Sequence, residues 1–222
     1  MAVTETQLWQ ADLLEIASHK AWVRERLTED EWLACQTSKV PGASHAHAAC
    51  RAFVREVLAR TLAPSERTLS FTAKGKPLLP QLSISWSHTE GQAFLGLSPA
   101  HSFAVDVENV STFFRWQNFW RFLQPEERRA LMALPLPQRA LGCGILWVRK
   151  EAALKACGSG LAGIFAVHAS PRQEEDQVQL WADCGVAETW RSPVVLEDAT
   201  LFCLAQEHGL LPPSFSIQPF AL

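Results

Sequence analysis

The stretch LWVRKEAALKACGSGL, residues 146–161, has the pattern of a helix that ends in a glycine turn. Helical spacing places Trp147, Glu151 and Lys155 one turn apart along a single face. A carboxylate one turn before an ammonium group is suited to hold a metal ion beside a phosphate. It is also a common stabilising pair on an exposed helix, and taken alone the stretch favours that ordinary interpretation. Other segments of the sequence are needed to distinguish a metal-and-phosphate site from an exposed stabilising pair.

The composition is that of a globular protein, with 48% hydrophobic and 19% charged residues. The net charge of −3 gives no global attraction to nucleic acid or to an anionic membrane. The N-terminal segment lacks the pattern of a signal peptide, and no apolar run approaches the roughly 20 residues of a membrane span. The six cysteines form no CxxC pair, so we expect reduced, mostly buried thiols in a cytoplasmic protein.

Hydrophobic periodicity alternates twice between helix and strand, which predicts an α+β fold of two similar halves, each a small antiparallel sheet with packed helices. We place the halves at residues 1–105 and 106–222, with the Pro-rich tail from Leu211 packing over the surface. The predicted helices are 18–35, 44–61, 113–123, 125–134 and 139–157. The predicted strands are 69–72, 82–88, 92–98, the segment around 104–110, 164–169, 176–181, 186–191 and 200–206.

The segment AVDVENV, residues 104–110, supplies two carboxylates with strand spacing. Asp106 and Glu108 lie on one face of such a strand, about 6.5 Å apart at the rise of ~3.3 Å per residue. Their oxygens could converge on a hard cation such as Mg²⁺, although a solvated acidic strand face is the more frequent meaning of D-x-E. A third carboxylate from a nearby helix would change that balance, and Glu151 is the candidate.

Basic side chains occur at three further places. Ser87-His88 ends an alternating strand, where adjacent residues point to opposite faces, so the pair is not a hydrolase arrangement. His88 could instead donate to phosphate oxygens, or be a structural histidine. Gly75-Lys76-Pro77 lacks the phosphate-loop pattern and offers a rigid turn that presents one ammonium group. Arg51 belongs to a basic helical stripe that could equally be a solvated face.

Together these motifs resemble the signature series of the 4′-phosphopantetheinyl transferases of the surfactin-synthetase (Sfp) type. In chain order they are GKP (75–77), SWSH (85–88), AVDVE (104–108), FLQPEE (122–127) and WVRKEAALKACGSGL (147–161). The last motif is specific, and the resemblance spans about residues 44–165. It implies a pseudo-dimeric fold of two related α+β halves and a monomeric protein.

The resemblance also implies roles for the acidic and catalytic residues. Asp106, Glu108 and Glu151 would hold Mg²⁺ against the pyrophosphate of coenzyme A. Lys155 and His88 would contact that pyrophosphate, and Glu151 is the expected base for the acceptor serine. These three residues, Glu151, Lys155 and His88, form the implied catalytic set.

Coenzyme A itself would be bound by further side chains. Arg51 and Lys76 are expected at the adenosine-phosphate end, and Ser87 is expected beside the pyrophosphate with His88 and Lys155. Glu127 matches a family carboxylate that could belong to a secondary metal shell, and the role of Lys150 is left open.

Some positions depart from the family pattern. Ala104 replaces a glycine, and Ser85 replaces an asparagine with the possible loss of one hydrogen bond. His45 and His47 stand where relatives often have Lys or Arg, which leaves the contacts to the 3′-phosphate open.

The implied reaction is Mg²⁺-dependent transfer of 4′-phosphopantetheine from coenzyme A to a serine of an apo acyl, polyketide or peptidyl carrier protein. Adenosine 3′,5′-bisphosphate would be released. The alternatives are a non-catalytic relative that binds coenzyme A or a carrier protein, and a scaffold whose acids are surface charge. A basic and aromatic segment, Arg115 to Arg121, is a candidate landing surface for the carrier, and its aromatic residues could equally be core.

Overall fold

The computed structural model describes residues 3–37, 43–89, 91–100, 102–181, 187–207 and 217–222. The first part of the chain combines helices with short strands. In chain order these are β1 (Gln7–Asp12), α1 (Leu13–Ser18), α2 (Lys20–Arg26), α3 (Glu29–Gln36), α4 (Ala43–Thr61), β2 (Ser70–Phe71), β3 (Pro77–Leu78), β4 (Ser83–Thr89) and β5 (Gln92–Ser98).

The second part contains the larger sheet, whose strands pair antiparallel, and the helix of the opening motif. Its elements are β6 (Phe103–Asn109), α5 (Pro125–Ala133), α6 (Arg139–Cys157), β7 (Val167–Ala169), β8 (Gln177–Trp181), β9 (Ala187–Arg191), β10 (Val194–Glu197), β11 (Thr200–Glu207) and β12 (Ile217–Pro219). Short 3₁₀ turns cover Val110–Phe113, Trp116–Phe122, Leu136–Gln138 and Leu161–Ala166. The predicted α+β class is confirmed.

The strands form two larger sheets. The first has the order β12-β1-β5-β4, and β12 runs parallel to β1. In the second, β11 pairs antiparallel with β6 along one edge, from Thr200 to Gln206. Its other edge pairs with β10 and β9, and β8 and β7 continue the sheet. β6 therefore forms the border of the second sheet that faces the first.

Three apolar clusters hold these layers together. Helix α4 buries Phe53, Val54, Val57 and Leu58, the inward positions expected from sequence, in one core with Leu95 of β5. Helix α6 shares a second core with β6 and β11. A third cluster lies between the sheets and includes side chains of β1, β5, β6 and β11: Leu8, Phe94, Phe103, Val105, Val107, Phe202 and Leu204.

A glycine allows the two sheets to approach closely. The ring of Phe103 lies over Gly96 of β5, and a Cβ at that position would stand 2.3 Å from the ring. Any larger residue would therefore push β6 away from the first sheet, because a contact that short cannot be accommodated by buried neighbours.

Several sequence expectations need correction. The predicted helix 113–123 is replaced by 3₁₀ turns, because Phe113, Trp116, Phe119 and Phe122 recur at every third residue, which matches the 3₁₀ repeat. The predicted helix 18–35 is divided among α1, α2 and α3, since Thr28 begins α3 with a capping box.

Four strands were missed, and two expected strands are much shorter. β1, β3, β10 and β12 were not among the predicted strands, whereas only β2 forms within 69–72 and only β7 within 164–169. Part of the tail, β12, joins the first sheet, while residues 211–216 lie outside the described residues.

The cysteines and the helices agree with two compositional expectations. Cys35, Cys50, Cys143, Cys157 and Cys203 are free thiols, three of them buried, whereas Cys184 lies outside the described residues. Within the ranges that the structure describes, every helix is too short or too polar to cross a bilayer.

Candidate active site

Helix α6 brings the opening motif to the junction of the two sheets. Its buried residues share a core with Ala104 of β6 and Leu201 of β11. Gly144 permits this contact, because a Cβ there would lie 2.5 Å from the Leu201 side chain. The helix ends at Gly158, whose φ of 70° is in the left-handed region that favours glycine. Half-buried Glu151 and Lys155 occupy the remaining face.

Strand alternation orients the acidic residues of β6. Ala104 belongs to the α6 core, whereas Val105 and Val107 belong to the cluster between the sheets. Asp106 and Glu108 therefore share the face of Ala104, as the sequence predicted. Asp106 is buried and Glu108 is half-buried.

Strand β4 faces β6 with its serines. The hydroxyl oxygen of Ser85 accepts a hydrogen bond from the backbone N–H of Val105 at 3.1 Å. The hydroxyl of Ser87 donates to Asp106 Oδ1 at 2.8 Å. Ile84 lies in the opposite core with α4, so the predicted alternation of β4 is confirmed. Ser85, which departs from the family pattern, thus makes a bond that joins the two sheets.

Lys155 completes a compact polar cluster with these two strands. Its ammonium group donates to Asp106 Oδ1 at 2.5 Å and to Ser87 Oγ at 3.0 Å. The close partner of Lys155 is therefore on β6, and the ordinary interpretation of an exposed Glu–Lys helix pair does not hold. We call Asp106, Ser87 and Lys155, together with Glu151, the acidic centre.

Two observations bear on whether the acidic centre could hold a divalent cation. Asp106 Oδ2 is buried and has no hydrogen-bond donor. The pKa of Glu151 is raised by its burial and by the negative charge of Asp106, with Lys155 acting in the opposite direction. Carboxylate oxygens are the donors that Mg²⁺ prefers. As the side chains stand, however, no three His, Cys, Asp or Glu within the described ranges converge closely enough to enclose a metal ion.

The Gly75-Lys76-Pro77 turn packs against the end of α6. The ammonium group of Lys76 donates to the backbone oxygen of Ala156, in the last turn of the helix, where the helix dipole attracts a positive charge. Burial lowers the pKa of Lys76. The structure therefore assigns this lysine a contact within the protein, beside the acidic centre.

A cavity of about 220 Å³ opens between this turn and the acidic centre. Its lining includes Lys76, Trp86, Glu151, Lys155, Gly158 and Gly160. Glu151 and the two lysines, which come from segments far apart in sequence, thus face one space. We call it the lysine cavity.

A second cavity, of about 410 Å³, also reaches Trp86. Its lining includes Glu31, His47, Arg51, Phe71 and His88. Trp86 therefore lines both cavities. We call this second space the arginine cavity.

Arg51 is held in the arginine cavity by aromatic rings and by a carboxylate. Its guanidinium carbon lies 5.1 Å from the ring centre of Phe71 and 4.9 Å from that of Trp86. Its Nε is 3.9 Å from Glu31 Oε1, which also accepts from Arg55 at 2.7 Å. Buried Nη1 has no hydrogen-bond partner. An unpaired buried donor of this kind is suited to an anionic oxygen.

His88 belongs to the arginine cavity rather than to the cluster of Ser87. Its ring lies 5.2 Å from that of His47 in an edge-to-face contact. Burial lowers the pKa of His88, and its neighbours His47 and Lys155 lower it further. His88 therefore lines the arginine cavity within range of the charge of Lys155.

Glu127 and Lys150 form a buried pair behind α6. The ammonium group of Lys150 lies 3.0 and 2.8 Å from the two oxygens of Glu127, and neither side chain is exposed. The backbone N–H groups of Gln124 and Ala169 also donate to Glu127. Through these contacts Glu127 and Lys150 connect α5, α6 and β7. They do not support the interpretation of Glu127 as a residue of a secondary metal shell.

Apart from Glu108, which is half-buried on β6 and lines neither cavity, the predicted site residues fall into three groups. Asp106, Ser87, Glu151 and Lys155 meet in or beside the lysine cavity, Arg51 and His88 line the arginine cavity, and Lys76 bonds to α6. Sequence reasoning missed Trp86 as a residue that lines both cavities and Glu31 as the partner of Arg51. The T-x-x-E capping box of Thr28 and Glu31 was the available signal for the latter.

Comparison with known proteins agrees with these motifs. Residues 102–200 match the model of the 4′-phosphopantetheinyl transferase superfamily. The chain is also 26% identical over 167 residues to the 4′-phosphopantetheinyl transferase HetI of Nostoc sp. strain PCC 7120, which covers 71% of this chain and 70% of that protein. The matched segment 102–200 contains Asp106, Glu151 and Lys155.

Proposed function

Because this chain is an enzyme of the 4′-phosphopantetheinyl transferase superfamily, we propose that it transfers 4′-phosphopantetheine from coenzyme A to a serine of an apo carrier protein. The acceptor would be an acyl, polyketide or peptidyl carrier, and adenosine 3′,5′-bisphosphate would leave. We base the choice of donor, acceptor and leaving group on the resemblance of the motifs to those of Sfp-type enzymes as well as on the family match.

The observation that carries the proposal is the convergence of the acidic centre with the lysine cavity. Asp106, Ser87 and Lys155 are mutually hydrogen-bonded, and Glu151 lines the adjoining space. Phosphoryl transfer requires mainly positioning and the neutralisation of charge. A cluster of two acids and a lysine beside a small cavity supplies both.

We propose that Asp106, Glu108 and Glu151 hold Mg²⁺. The orphaned Asp106 Oδ2 favours a cation at this place, as does the raised pKa of Glu151, which results from its burial and from the negative charge of Asp106. When bound, the ion would offset the negative charge of the pyrophosphate oxygens.

The remaining chemistry is assigned to the protein. Glu151, whose raised pKa makes it a better proton acceptor than an ordinary carboxylate, takes the proton of the carrier serine. A bond forms between the serine oxygen and the β-phosphorus, which bears the pantetheine, and the bond from that phosphorus to the bridging oxygen breaks. Lys155 stabilises the charge on the departing adenosine 3′,5′-bisphosphate.

Coenzyme A would extend across both cavities. The pyrophosphate would lie in the lysine cavity near Lys155, with Ser87 beside it, and the adenosine-phosphate end near Arg51. The free Nη1 of Arg51 and its two aromatic neighbours support this placement, as does the adjacent His88. Lys76 would line the path between them.

We also propose that the chain consists of two related halves, 1–105 and 106–222, that act as a monomer. Each contains a long helix on a sheet, α4 on the first and α6 on the second, which supports the proposal. The junction would lie within β6, and β12 would return to the first sheet. The free cysteines fit a reducing compartment such as the cytoplasm.

The test is to incubate the purified chain with coenzyme A, Mg²⁺ and a panel of apo carrier proteins, and to measure the intact mass of each carrier. We expect at least one carrier to gain one phosphopantetheine group, with release of an equal amount of adenosine 3′,5′-bisphosphate. Binding of coenzyme A without release of the bisphosphate would favour a non-catalytic relative. If a carrier gained the same mass in a control reaction that lacks the purified chain, the proposal would be excluded.

A further inference from the structure

The position of Lys155 has a consequence for metal binding. Its ammonium group lies 2.5 Å from Asp106 Oδ1. The protein therefore already supplies a positive charge at the carboxylate that a metal ion would bind. Ser87 holds it there, because its oxygen accepts from Lys155 and its hydrogen is donated to the same Asp106 oxygen. One of the two oxygens of the buried carboxylate is thus occupied and the other is free.

This arrangement leaves the acidic centre incomplete for a metal ion. Asp106 is close enough to Glu151 for its negative charge to help raise the pKa of Glu151 after the larger effect of burial, yet the acids of the described residues do not enclose a metal position. An ammonium group and a divalent cation at one carboxylate repel each other strongly in a partly buried site. Lys155, at the distance that the structure gives, therefore opposes the binding of a divalent cation at Asp106.

We propose that Lys155 is a built-in counter-cation that competes with the divalent metal for Asp106 until a pyrophosphate draws it away. The inference deepens the proposed function and rests on it. Lys155 has a side chain that is 34% exposed, and it lines the lysine cavity, so its ammonium group can turn from Asp106 toward a phosphate in that cavity. Asp106 Oδ1, released by Lys155, would then be available to help hold a divalent cation.

Metal and coenzyme A binding are therefore coupled through one side chain. Such coupling is reciprocal, because each ligand changes the affinity of the other by the same factor. The protein alone binds the metal weakly, and this keeps a bare cation from occupying the site before the substrate arrives.

The test measures binding and does not need turnover. The dissociation constant of Mn²⁺ is measured by electron paramagnetic resonance, at constant pH and without coenzyme A, for the wild type, Lys155→Met and Lys155→Gln. We expect both variants to bind Mn²⁺ more tightly, by roughly 5- to 100-fold, the usual range for coupled sites. Binding of coenzyme A without metal should weaken in the same variants, because the lysine can no longer meet the phosphate.

Lys76→Met is the matched control. It removes a nearby ammonium group that bonds to Ala156 and not to Asp106. A general loss of positive charge would tighten Mn²⁺ binding equally in this variant, whereas direct competition would not. Unfolding would weaken the binding of both ligands, and circular dichroism of each variant checks for it.

The outcomes separate this inference from the proposed function. An unchanged or weaker Mn²⁺ affinity in folded Lys155→Met or Lys155→Gln, or an equal gain in Lys76→Met, would overturn the inference while leaving carrier modification intact. Failure of the wild type to modify any carrier would overturn the proposed function on which it rests.

Discussion

The ammonium group of Lys155 lies 2.5 Å from a carboxylate oxygen of Asp106, and this contact joins α6 to β6 at the border of the two sheets. The lysine and the aspartate are 49 positions apart in the chain. Their contact converts a helix motif and a strand motif, each ambiguous alone, into one chemical centre. Ser87 adds the third segment, from β4.

Glu151→Gln should raise the melting temperature while it abolishes transfer. The folded protein raises the pKa of Glu151 above its ordinary value, through burial and the charge of Asp106, so the ionised carboxylate destabilises the fold. This loss of stability grows as the pH rises above the ordinary pKa of a glutamate, because Glu151 then ionises more readily in the unfolded chain than in the folded protein. The gain from the amide should therefore be larger at pH 8 than at pH 5, measured by thermal unfolding without metal. Glu197→Gln on exposed β10 is the control, and an equal effect of both variants at each pH would contradict the account.

Lys150→Met should destabilise the protein by about 3–5 kcal/mol, the cost of leaving one member of a buried ion pair without its partner. Glu127 would keep only its backbone donors, from Gln124 and Ala169. Adding Glu127→Gln should recover part of the loss in urea unfolding, since the uncompensated charge is removed. A loss of metal affinity with unchanged stability would instead favour a role in the metal shell.

Ser85→Ala should lower the free energy of unfolding by about 1–3 kcal/mol, because the buried N–H of Val105 loses its acceptor. Ser70→Ala, on exposed β2, provides the comparison in the same urea titration. Equal midpoints for the two variants would show that this hydrogen bond does not hold β4 against β6.

Lys76→Met should destabilise the protein even without coenzyme A, by about 0.3–1 kcal/mol, since its ammonium group stabilises the C-terminal end of α6. Lys20→Met removes an exposed lysine from α2 and is expected to leave stability unchanged. If Lys76 served coenzyme A alone, thermal unfolding of the two ligand-free variants would coincide.

The sequence predicted the elements that carry clear periodicity. The bounds of α6 and β5 agree with the prediction, and the faces of β4 and β6 follow from strict alternation, so Ser87 and Asp106 could be expected on sheet faces. What periodicity could not show is which faces meet. The hydrogen bond of Ser87 to Asp106 depends on the packing of β4 beside β6, which is set by Gly96 and Phe103 of neighbouring strands.

Other features depended on contacts between distant segments. Lys76 resembled a phosphate ligand because nothing local indicated that its turn would reach the end of α6. Glu127 resembled a metal-shell acid, because its three donors (Gln124, Lys150 and Ala169) come from distant segments that no local pattern brings together. β1 and β12 were missed because each depends on pairing with the other or with β5, and neither has a strong apolar pattern of its own.

The most direct test of the acidic centre is the rate at which a carrier gains phosphopantetheine with wild type, Asp106→Asn and Glu197→Gln, followed by intact-mass spectrometry. Asp106→Asn keeps the size of the side chain and an acceptor for Ser87, so the fold should persist. This variant should be slower by about 10- to 100-fold, as when a metal site loses an important contact, while Glu197→Gln should match the wild type. Wild-type rates for a folded Asp106→Asn would contradict the account.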